Sequence, residues 1–264
     1  VRHQLTTHTA SCLDAEWLDE TRFVTVSSDR TGLLFDLNKA PTEGTGEAFE
    51  ALGVLEGHVD EVNTCRYDSH SGLLATCSDD HTARLWKETQ CFALLKGHEK
   101  EIYTLKWCPN GFLLATASFD NSVLIWNAKD DLVEGHLRPS QSLLHHSSSV
   151  YSSAWSPCGK YLATGSLDES VAIWNVSSAS GKPVKIHTFT GAGGVYDLDW
   201  RESWIAAGMA DGRVIVIEFT EKSVLAATAD STAVTAPSNE QMDTEPLSID
   251  SPHEMQIDKE EGEV

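Results

Sequence analysis

The sequence predicts an all-β chain made of repeated four-stranded sheets. A pattern of polar and aromatic residues recurs four times along the chain, and no segment has the 3.6-residue apolar period of an amphipathic helix. Short apolar runs at 73–78 and 113–118 are predicted as inner strands, and those at 83–86 and 123–126 as the next strands outward. Asn110-Gly111, which lies between two such runs, is predicted as a turn.

Each repeat unit is defined by four residues at fixed spacing. A histidine is followed 21 or 22 residues later by an aspartate, with a threonine four residues before the aspartate and an aromatic residue six residues after it. A fifth unit keeps Asp211 but has Gly191, Ala207 and Ile217 at the other three positions. The complete sets are His8, Thr25, Asp29 and Phe35; His58, Thr76, Asp80 and Trp86; His98, Thr116, Asp120 and Trp126; and His146, Thr164, Asp168 and Trp174.

This spacing has a physical reason. If the threonine lies on one strand, the aspartate in the following turn and the tryptophan on the next strand, hydrogen bonds can join the Asp, His, Thr and Trp side chains within one sheet. Each buried polar group then avoids the penalty of ~1–3 kcal/mol for an unsatisfied partner. If the repeated sheets are arranged around an axis, each histidine lies in a different sheet. The histidines then cannot converge on one site. We therefore predict a structural role for them, not a catalytic or metal-binding one.

The spacing of the units predicts a β-propeller. Successive aspartates are 51, 40, 48 and 43 residues apart, close to the period of about 40–45 residues of four-stranded propeller blades. Five four-stranded blades are therefore expected. Residues 38–53 and 127–145 are insertions between units, and Gly135-His136, which does not fit the frame, is predicted to lie in a loop.

Composition disfavours several partner classes. The 264 residues include 19 Lys+Arg and 40 Asp+Glu, a net charge of −21. Residues 221–264 contain 11 acidic and 2 basic residues, which leaves 29 acidic and 17 basic, net −12, for the rest. An acidic surface disfavours nucleic acid and anionic membranes and favours basic partners. No apolar stretch reaches the ~20 residues of a spanning helix, and Val1–Leu5 lacks the apolar core of a signal peptide, so an intracellular chain is predicted.

The sequence offers no cofactor or metal motif. The six cysteines occur singly, without a Cys-x-x-Cys pair, and are predicted to be free thiols packed as small hydrophobes. Residues 1–219 are predicted to form the propeller. Residues 220–264 contain no aromatic residue and are rich in Ser, Thr, Asp and Glu, so a disordered acidic tail is predicted there.

Several segments together resemble a known family. The repeated motif resembles the WD repeat (WD40) of β-propellers. It consists of Gly-His, about 22 residues, Ser-x-Asp and then Trp-Asp or Trp-Asn. The order of segments along residues 1–219 resembles the late repeats of the transducin-β-like corepressor subunits, which are F-box-like/WD-repeat proteins. The segments that carry this resemblance are 57–63, 77–80, 98–107, 115–120, 150–157, 160–166, 173–175 and 190–195.

Members of that family have a LisH region and an eight-bladed propeller, and act as scaffolds in nuclear corepressor–histone deacetylase complexes. The resemblance implies that residues 8–219 are the last five of eight blades, that Val1–Leu5 is the outer strand of a preceding blade, and that the protein is nuclear. The LisH region, which in the family supplies oligomerisation, is absent from this sequence, so the oligomeric state is open. Five blades shaped for a ring of eight are expected to leave strand edges unpaired and the chain poorly soluble.

A partner-binding rim is predicted at one mouth of the propeller channel. In each blade the residue after the first apolar residue and the residue before the aspartate should face this mouth. The aromatic members could bind a peptide or could simply plug the channel, and Asp79 could receive a Lys or Arg or be a solvated turn carboxylate. The predicted rim residues are Asn63, Asp79, Tyr103, Phe119, Tyr151, Leu167 and Tyr196.

Three functions are weighed. The first is a non-enzymatic scaffold of a transcriptional corepressor complex, with a corepressor, a histone deacetylase and basic histone tails as partners. The second is a substrate receptor of a ubiquitin ligase, which an F-box-like region would distinguish. The third, a propeller hydrolase, needs several convergent carboxylates or a nucleophile–His–acid set, whereas Asp79 is the one ionisable residue among the predicted rim positions. We therefore predict that the chain is not an enzyme.

Overall fold

The computed structural model describes residues 5, 7–41, 49–130, 135–177 and 181–220. The predicted outer strand at Val1–Leu5 and the predicted tail at 220–264 lie outside this part, except for Leu5 and Thr220. Within the described residues, no helix is long and apolar enough to cross a membrane.

The described chain forms five successive sheets, here called blades 1 to 5, which are antiparallel except at one edge of blade 2. Blade 1 contains β1 (Cys12–Trp17), β2 (Arg22–Ser27), β3 (Gly32–Asp36) and β4 (Gly53–Leu55), with a short 3-10 helix at Leu37–Lys39. Blade 2 contains β5 (Val62–Asp68), β6 (Leu73–Ser78), β7 (Thr82–Lys87) and β8 (Gln90–Lys96), and β12 (His136–Leu137) adds to its edge. Blade 3 contains β9 (Ile102–Trp107), β10 (Leu113–Ser118), β11 (Ser122–Asn127) and β13 (Gln141–Leu144). Blade 4 contains β14 (Val150–Trp155), β15 (Tyr161–Ser166), β16 (Ser170–Asn175) and β17 (Val184–Thr190), and blade 5 contains β18 (Val195–Arg201), β19 (Trp204–Met209) and β20 (Val214–Glu218).

The predicted all-β propeller architecture is confirmed, but the strand count differs in two blades. Blade 5 has three described strands instead of four. Blade 2 has five, because the insertion at 127–145 returns to its outer edge before it supplies β13 to blade 3. The prediction that Gly135-His136 lies in a loop is wrong for His136, which pairs in parallel with Leu94 of β8. The Leu94 amide donates to the Gly135 carbonyl (3.1 Å), so an edge backbone group gains a partner.

Consecutive blades pack face to face. Apolar residues from the second and third strands of one blade lie against the innermost strand of the next, and the four main core clusters each span two consecutive blades. The innermost strands β1, β5, β9, β14 and β18 lie side by side around a central channel. Among the described residues, blade 5 does not pack against blade 1 as consecutive blades do.

A buried hydrogen-bonded quartet joins the strands within blades 2, 3 and 4. In blade 2, His58 Nδ1 lies 2.8 Å from Asp80 Oδ2, His58 Nε2 lies 2.8 Å from Thr76 Oγ1, and Trp86 Nε1 donates to Thr76 Oγ1 over 2.8 Å. The quartets that begin at His98 and His146 have the same bonds, at 2.7–3.0 Å. One neutral imidazole satisfies all of them: Trp donates to Thr, the Thr hydroxyl to Nε2, and Nδ1–H to the aspartate.

Blades 1 and 5 depart from the quartet in different ways. In blade 1, His8 contacts Asp29 (2.9 Å) and Thr25 (2.8 Å), but Phe35 has no donor and only fills the space of the tryptophan. In blade 5 three of the four quartet residues are replaced by Gly191, Ala207 and Ile217, and the Met209 side chain occupies the space beside Gly191. Asp211 remains, but it is exposed and accepts hydrogen bonds from Arg213. Losing the three other polar partners together therefore leaves no group of the set buried and unsatisfied, which is why the degenerate unit still folds.

The electrostatics of the quartet favour a neutral histidine beside an ionised aspartate. Burial raises the pKa of Asp80, but the bonds from His58, from the Thr82 hydroxyl and from the Val59 amide outweigh it and hold the pKa well below its ordinary value. Similar bonds lower the pKa of Asp29 to about 2. Burial lowers the pKa of His58 and of His146 despite their aspartate partners.

All six cysteines are free thiols. Cys65, Cys77 and Cys108 are buried as predicted, and burial raises the pKa of each. The prediction of a packed, apolar environment is wrong for the other three, Cys12, Cys91 and Cys158, which are exposed. The exposed thiols lie at the first residue of β1, near the start of β8 and in the turn before β15, where the alternation of buried positions breaks off.

Replacing Asp80 by alanine should destabilise the protein by ~2–4 kcal/mol. The substitution leaves His58 Nδ1–H and the Val59 amide without their acceptor, and both lie in or beside a buried network. Chemical denaturation measures the free energy of unfolding. Asp60→Ala, which removes an exposed carboxylate of the same blade, is the control and should change it by less than ~0.5 kcal/mol. Equal losses for the two variants would contradict a structural quartet.

Stability should decrease as the pH falls from about 7.5 to 5.5. Burial holds the pKa of His58 and of His146 below the ordinary value in the folded protein, so these side chains bind protons less readily than the histidines of the unfolded chain, which are protonated below about pH 6.5. Below about pH 4 the unfolded aspartates also take up protons that Asp80 and Asp120 resist, so stability drops again. Protonation also lowers the self-repulsion of a chain with net charge −21, and this effect raises the free energy of unfolding as the pH falls. An unfolding free energy that rises over this range would refute the neutral quartet.

Candidate partner-binding rim

One β-bulge recurs in the innermost strand of every blade. The pairing of β5 with β6 skips one residue between Val62 and Thr64, and the other four blades have the same shift. A bulged residue leaves the ladder and its side chain is re-aimed. The five bulged residues are Leu13, Asn63, Tyr103, Tyr151 and Tyr196, and four of them are predicted rim residues.

Four aromatic side chains from three blades meet at this mouth and form what we call the rim aromatic cluster. The Tyr103 ring is stacked at 5.8 Å from the Phe119 ring and lies 4.8 Å from that of Tyr151, which is 5.0 Å from Phe119. Tyr196 meets Tyr151 edge-on at 5.3 Å. Tyr103 is 44% exposed, so the cluster presents part of its surface to solvent.

Phe119 is held in place by its backbone. Its amide donates to the Glu101 carbonyl over 3.0 Å, which ties the turn before Asp120 to the loop that precedes β9. Asp79 and Leu167 have the same bond, to the Glu61 and Ser149 carbonyls. The residue before each aspartate is thereby fixed beside the bulged residue of its own blade.

Asn63 and Asp79 form a polar end of the rim. Asn63 Nδ2 donates to Asp79 Oδ1 (2.6 Å) and to the Ile102 carbonyl (3.0 Å), which links blades 2 and 3 and orients the carboxylate. Burial raises the pKa of Asp79, and the negative charges of Asp60, Glu101 and Glu61 add to that effect against the Asn63 bond. This end of the rim is therefore a region of negative potential.

Leu167 has a different environment from the other predicted rim residues. It is half-buried and lies against Gly194, where a Cβ would approach Leu167 Cδ2 to 2.6 Å. Its contact joins blades 4 and 5. The structure therefore gives Leu167 a packing role between these two blades.

A cavity of about 470 Å³ occupies the central channel, and the rim residues Asn63, Tyr103, Tyr151 and Tyr196 form part of its lining. The expectation that Asp79 is the one ionisable inward residue is wrong, because Asp14, Arg66, Lys106 and Asp197 line this cavity, whereas Asp79 lies outside its lining. The bulge causes the error: it shifts the alternation by one residue, so that Arg66 faces the channel and Cys65 is buried between blades. Strict alternation counted from Val62 cannot predict that Arg66 faces the channel. The presence of Arg66 and Lys106 at the same position of β5 and β9 could have indicated it.

The carboxylates of the channel make contacts between blades. The Arg66 guanidinium of blade 2 forms a short ion pair with Asp14 of blade 1, and the Cys65 amide donates to the same carboxylate over 3.1 Å. Ser152 Oγ of blade 4 donates to Asp197 Oδ1 of blade 5 (3.0 Å). Burial raises the pKa of the adjacent Glu16. The described residues contain no group of three or more His, Cys, Asp or Glu that could hold a metal ion.

Comparison with known proteins agrees with this architecture. The family model described as "WD domain, G-beta repeat" matches residues 49–87, 89–127 and 137–175. These three segments thus match WD40 repeats, and the described sheets fold as blades of a WD40 propeller, a type of domain that typically serves as a non-enzymatic scaffold for protein interactions.

Two relatives illustrate the likeness. The WD40 repeat-containing protein HOS15 of Arabidopsis thaliana is 36% identical over 89 residues, which are 34% of this chain and 13% of HOS15. The crystal structure of the C-terminal WD40 domain of Sif2 superposes with a TM-score of 0.70 at 17% identity, and covers 83% of this chain and 60% of that one. The similarity to Sif2 is one of fold, and both relatives are matched over less than two thirds of their length.

The Asp14–Arg66 pair should couple blades 1 and 2. We expect Asp14→Ala and Arg66→Ala each to destabilise the protein, with a coupling energy of ~1–3 kcal/mol in a double-mutant cycle, because both side chains are largely shielded from solvent and bonded to each other. Denaturant unfolding of the wild type, the two single variants and the double variant gives this energy. The exposed Asp19–Arg22 pair of blade 1 is a control, with a coupling below ~1 kcal/mol.

Proposed function

We propose that the chain is a non-enzymatic scaffold subunit of a nuclear transcriptional corepressor–histone deacetylase complex, which captures partner peptides on its propeller rim. The observation that carries the peptide-binding role is the rim aromatic cluster: rings from three blades converge at a channel mouth, where Tyr103 remains 44% and Tyr196 52% exposed. Aromatic anchors of this kind dominate the energetics of protein interfaces. The corepressor role is supported by the resemblance of the segments between 57 and 195 to the transducin-β-like corepressor subunits.

The charge of the rim favours a basic segment as the partner. Asp79 lies at one end of the cluster with Asp60, Glu61 and Glu101 around it, and the chain as a whole is acidic. A Lys or Arg side chain could lie across the Tyr103 ring and direct its cationic group at Asp79. Histone tails have this chemistry, and an acidic surface would also increase their rate of association.

Affinity purification from nuclear extract, followed by mass spectrometry, tests this function. We expect the tagged chain to retain a histone deacetylase together with a large corepressor. The double variant Tyr103→Ala/Phe119→Ala should reduce their recovery at least ~fivefold, because truncating two anchors of an interface costs more than ~1 kcal/mol. Its melting temperature should stay close to that of the wild type, since Tyr103 is exposed and Phe119 only half-buried.

Leu144→Ala is the matched control, because Leu144 is a large apolar residue that is 74% exposed on β13, away from the rim. It should leave recovery unchanged. Recovery of cullin–RING components alone would favour the substrate-receptor function instead. Equal recovery with the wild type and the double variant would overturn the rim as the binding surface, whichever complex is captured.

A further inference from the structure

The channel-facing residues of each innermost strand follow one another at fixed positions. In β9, the bulged Tyr103 is followed by Thr104 and Lys106, and all three line the channel cavity. Arg66 of β5 is at the strand position equivalent to that of Lys106, and it lines the same cavity. Two cations from neighbouring blades therefore project toward one channel.

The charge of Arg66 is compensated inside the protein, because its guanidinium forms the ion pair with Asp14. Asp197, the other carboxylate of the lining, accepts hydrogen bonds from Ser152 Oγ over 3.0 Å and from the Leu198 amide over 2.9 Å. Both carboxylates thus have donors from the chain itself. The lining contains as many cations as carboxylates, so the cavity is balanced in charge, whereas the whole chain has a net charge of −21.

Lys106 has no comparable partner. It is half-buried, and its ammonium group forms no hydrogen bond or ion pair with any residue in the described part of the chain. Burial raises the pKa of the nearby Glu16, and the charge of Lys106 lowers it only as a minor effect, while Glu16 Oε1 accepts from the Tyr67 amide over 3.4 Å. The Lys106 backbone is fixed, because its carbonyl accepts from Trp155 Nε1 over 3.0 Å. A cation thus lines the cavity without a counter-ion among the described residues.

Two hydroxyl groups of the cavity wall, those of Thr104 and Tyr151, also donate to no described residue. Thr104 is 9% exposed, and a polar group at that depth normally has a partner. Burial raises the pKa of Tyr151, so its phenol keeps its proton and remains a donor at neutral pH. The neighbouring strands β9 and β14 thus present an ammonium group and two hydroxyl donors that need an acceptor.

We propose that the channel cavity binds an anionic oxygen group, a phosphate or a carboxylate, at Lys106, with the hydroxyls of Thr104 and Tyr151 as further donors. Such a group accepts several hydrogen bonds at once, and hydrogen bonds between ions are shorter and stronger than neutral ones. It also compensates the charge of a cation that is partly removed from water. A cavity of about 470 Å³ has the size of sites that bind small ligands.

The anionic group has two possible sources with the same chemistry. It belongs either to a small free molecule or to an acidic side chain of a peptide that enters from the rim. The site itself rests on the channel residues alone, so it is tested separately from the proposed function.

Affinity purification with Lys106→Met identifies the source. Lower recovery of partner proteins than with the wild type assigns the anionic group to a partner side chain, and equal recovery assigns it to a free small molecule. In both cases the evidence for the site is the binding of inorganic phosphate.

Titration with inorganic phosphate is the test of the site. The backbone amide signals of blades 3 and 4 are followed by NMR while sodium chloride keeps the ionic strength constant, so that general screening does not change. We expect saturable shifts in β9 and β14. Lys106→Met should weaken phosphate binding at least ~tenfold, because it removes a charge-assisted hydrogen bond. Thr104→Val, which removes a neutral donor, should weaken it about threefold.

Lys96→Met is the matched control, because it removes the same charge from an exposed residue of β8, the outer strand of blade 2. It should change the affinity for phosphate less than ~twofold. Circular dichroism and the melting temperature verify that each variant is folded, and Lys106→Gln replaces Lys106→Met if that variant is not. A wild type that shows no saturable binding of phosphate, or that binds it as Lys106→Met does, would overturn the proposal.

Discussion

The structure depends on one physical constraint: a polar side chain buried in a thin β-sheet must have its hydrogen-bonding groups satisfied inside that sheet. In blades 2 to 4, a single relay from tryptophan through threonine and histidine to aspartate meets this condition. The relay fixes the register of the second and third strands and ties both to the loop before the innermost strand. Because the aspartate also accepts the amide bond that shapes its own turn, as Asp80 does from Thr82, local turn geometry and blade geometry are set by one carboxylate.

That constraint also positions the rim. The relay ties the loop before each innermost strand to the turn that carries the aspartate, so the residue before the aspartate and the bulged residue come to lie side by side. Tyr103 lies on β9 and Phe119 in the turn after β10, and their rings still stack at 5.8 Å. Neighbouring blades then bring Tyr151 and Tyr196 into the same cluster. Residues that are far apart in the sequence therefore form one surface, because the geometry of the blades repeats.

The fold was largely predictable from the sequence, whereas the channel was not. Spacing between His58, Thr76, Asp80 and Trp86 specifies a blade because each residue has one partner at a fixed strand offset. The inward residues follow from alternation, and one bulge reverses its phase, which is why Arg66 and Asp14 were missed. A local sequence pattern also cannot predict pairing between distant segments. His136 pairs at the edge of β8 only because the insertion at 127–145 returns to that strand. The sequence shows Gly191 where the other units have histidine, but only the structure shows that the Met209 side chain fills the space beside it.

The recurrent bulge has a consequence for how such a protein can change. Its residue makes no ladder hydrogen bond, so the strand does not constrain the side chain that it carries. Within this one chain the five equivalent positions already hold leucine, asparagine and tyrosine without any change of register. Substitutions at these positions can therefore change the ligand that is bound, one blade at a time, while the scaffold keeps its stability. Ligand recognition and folding can then evolve separately.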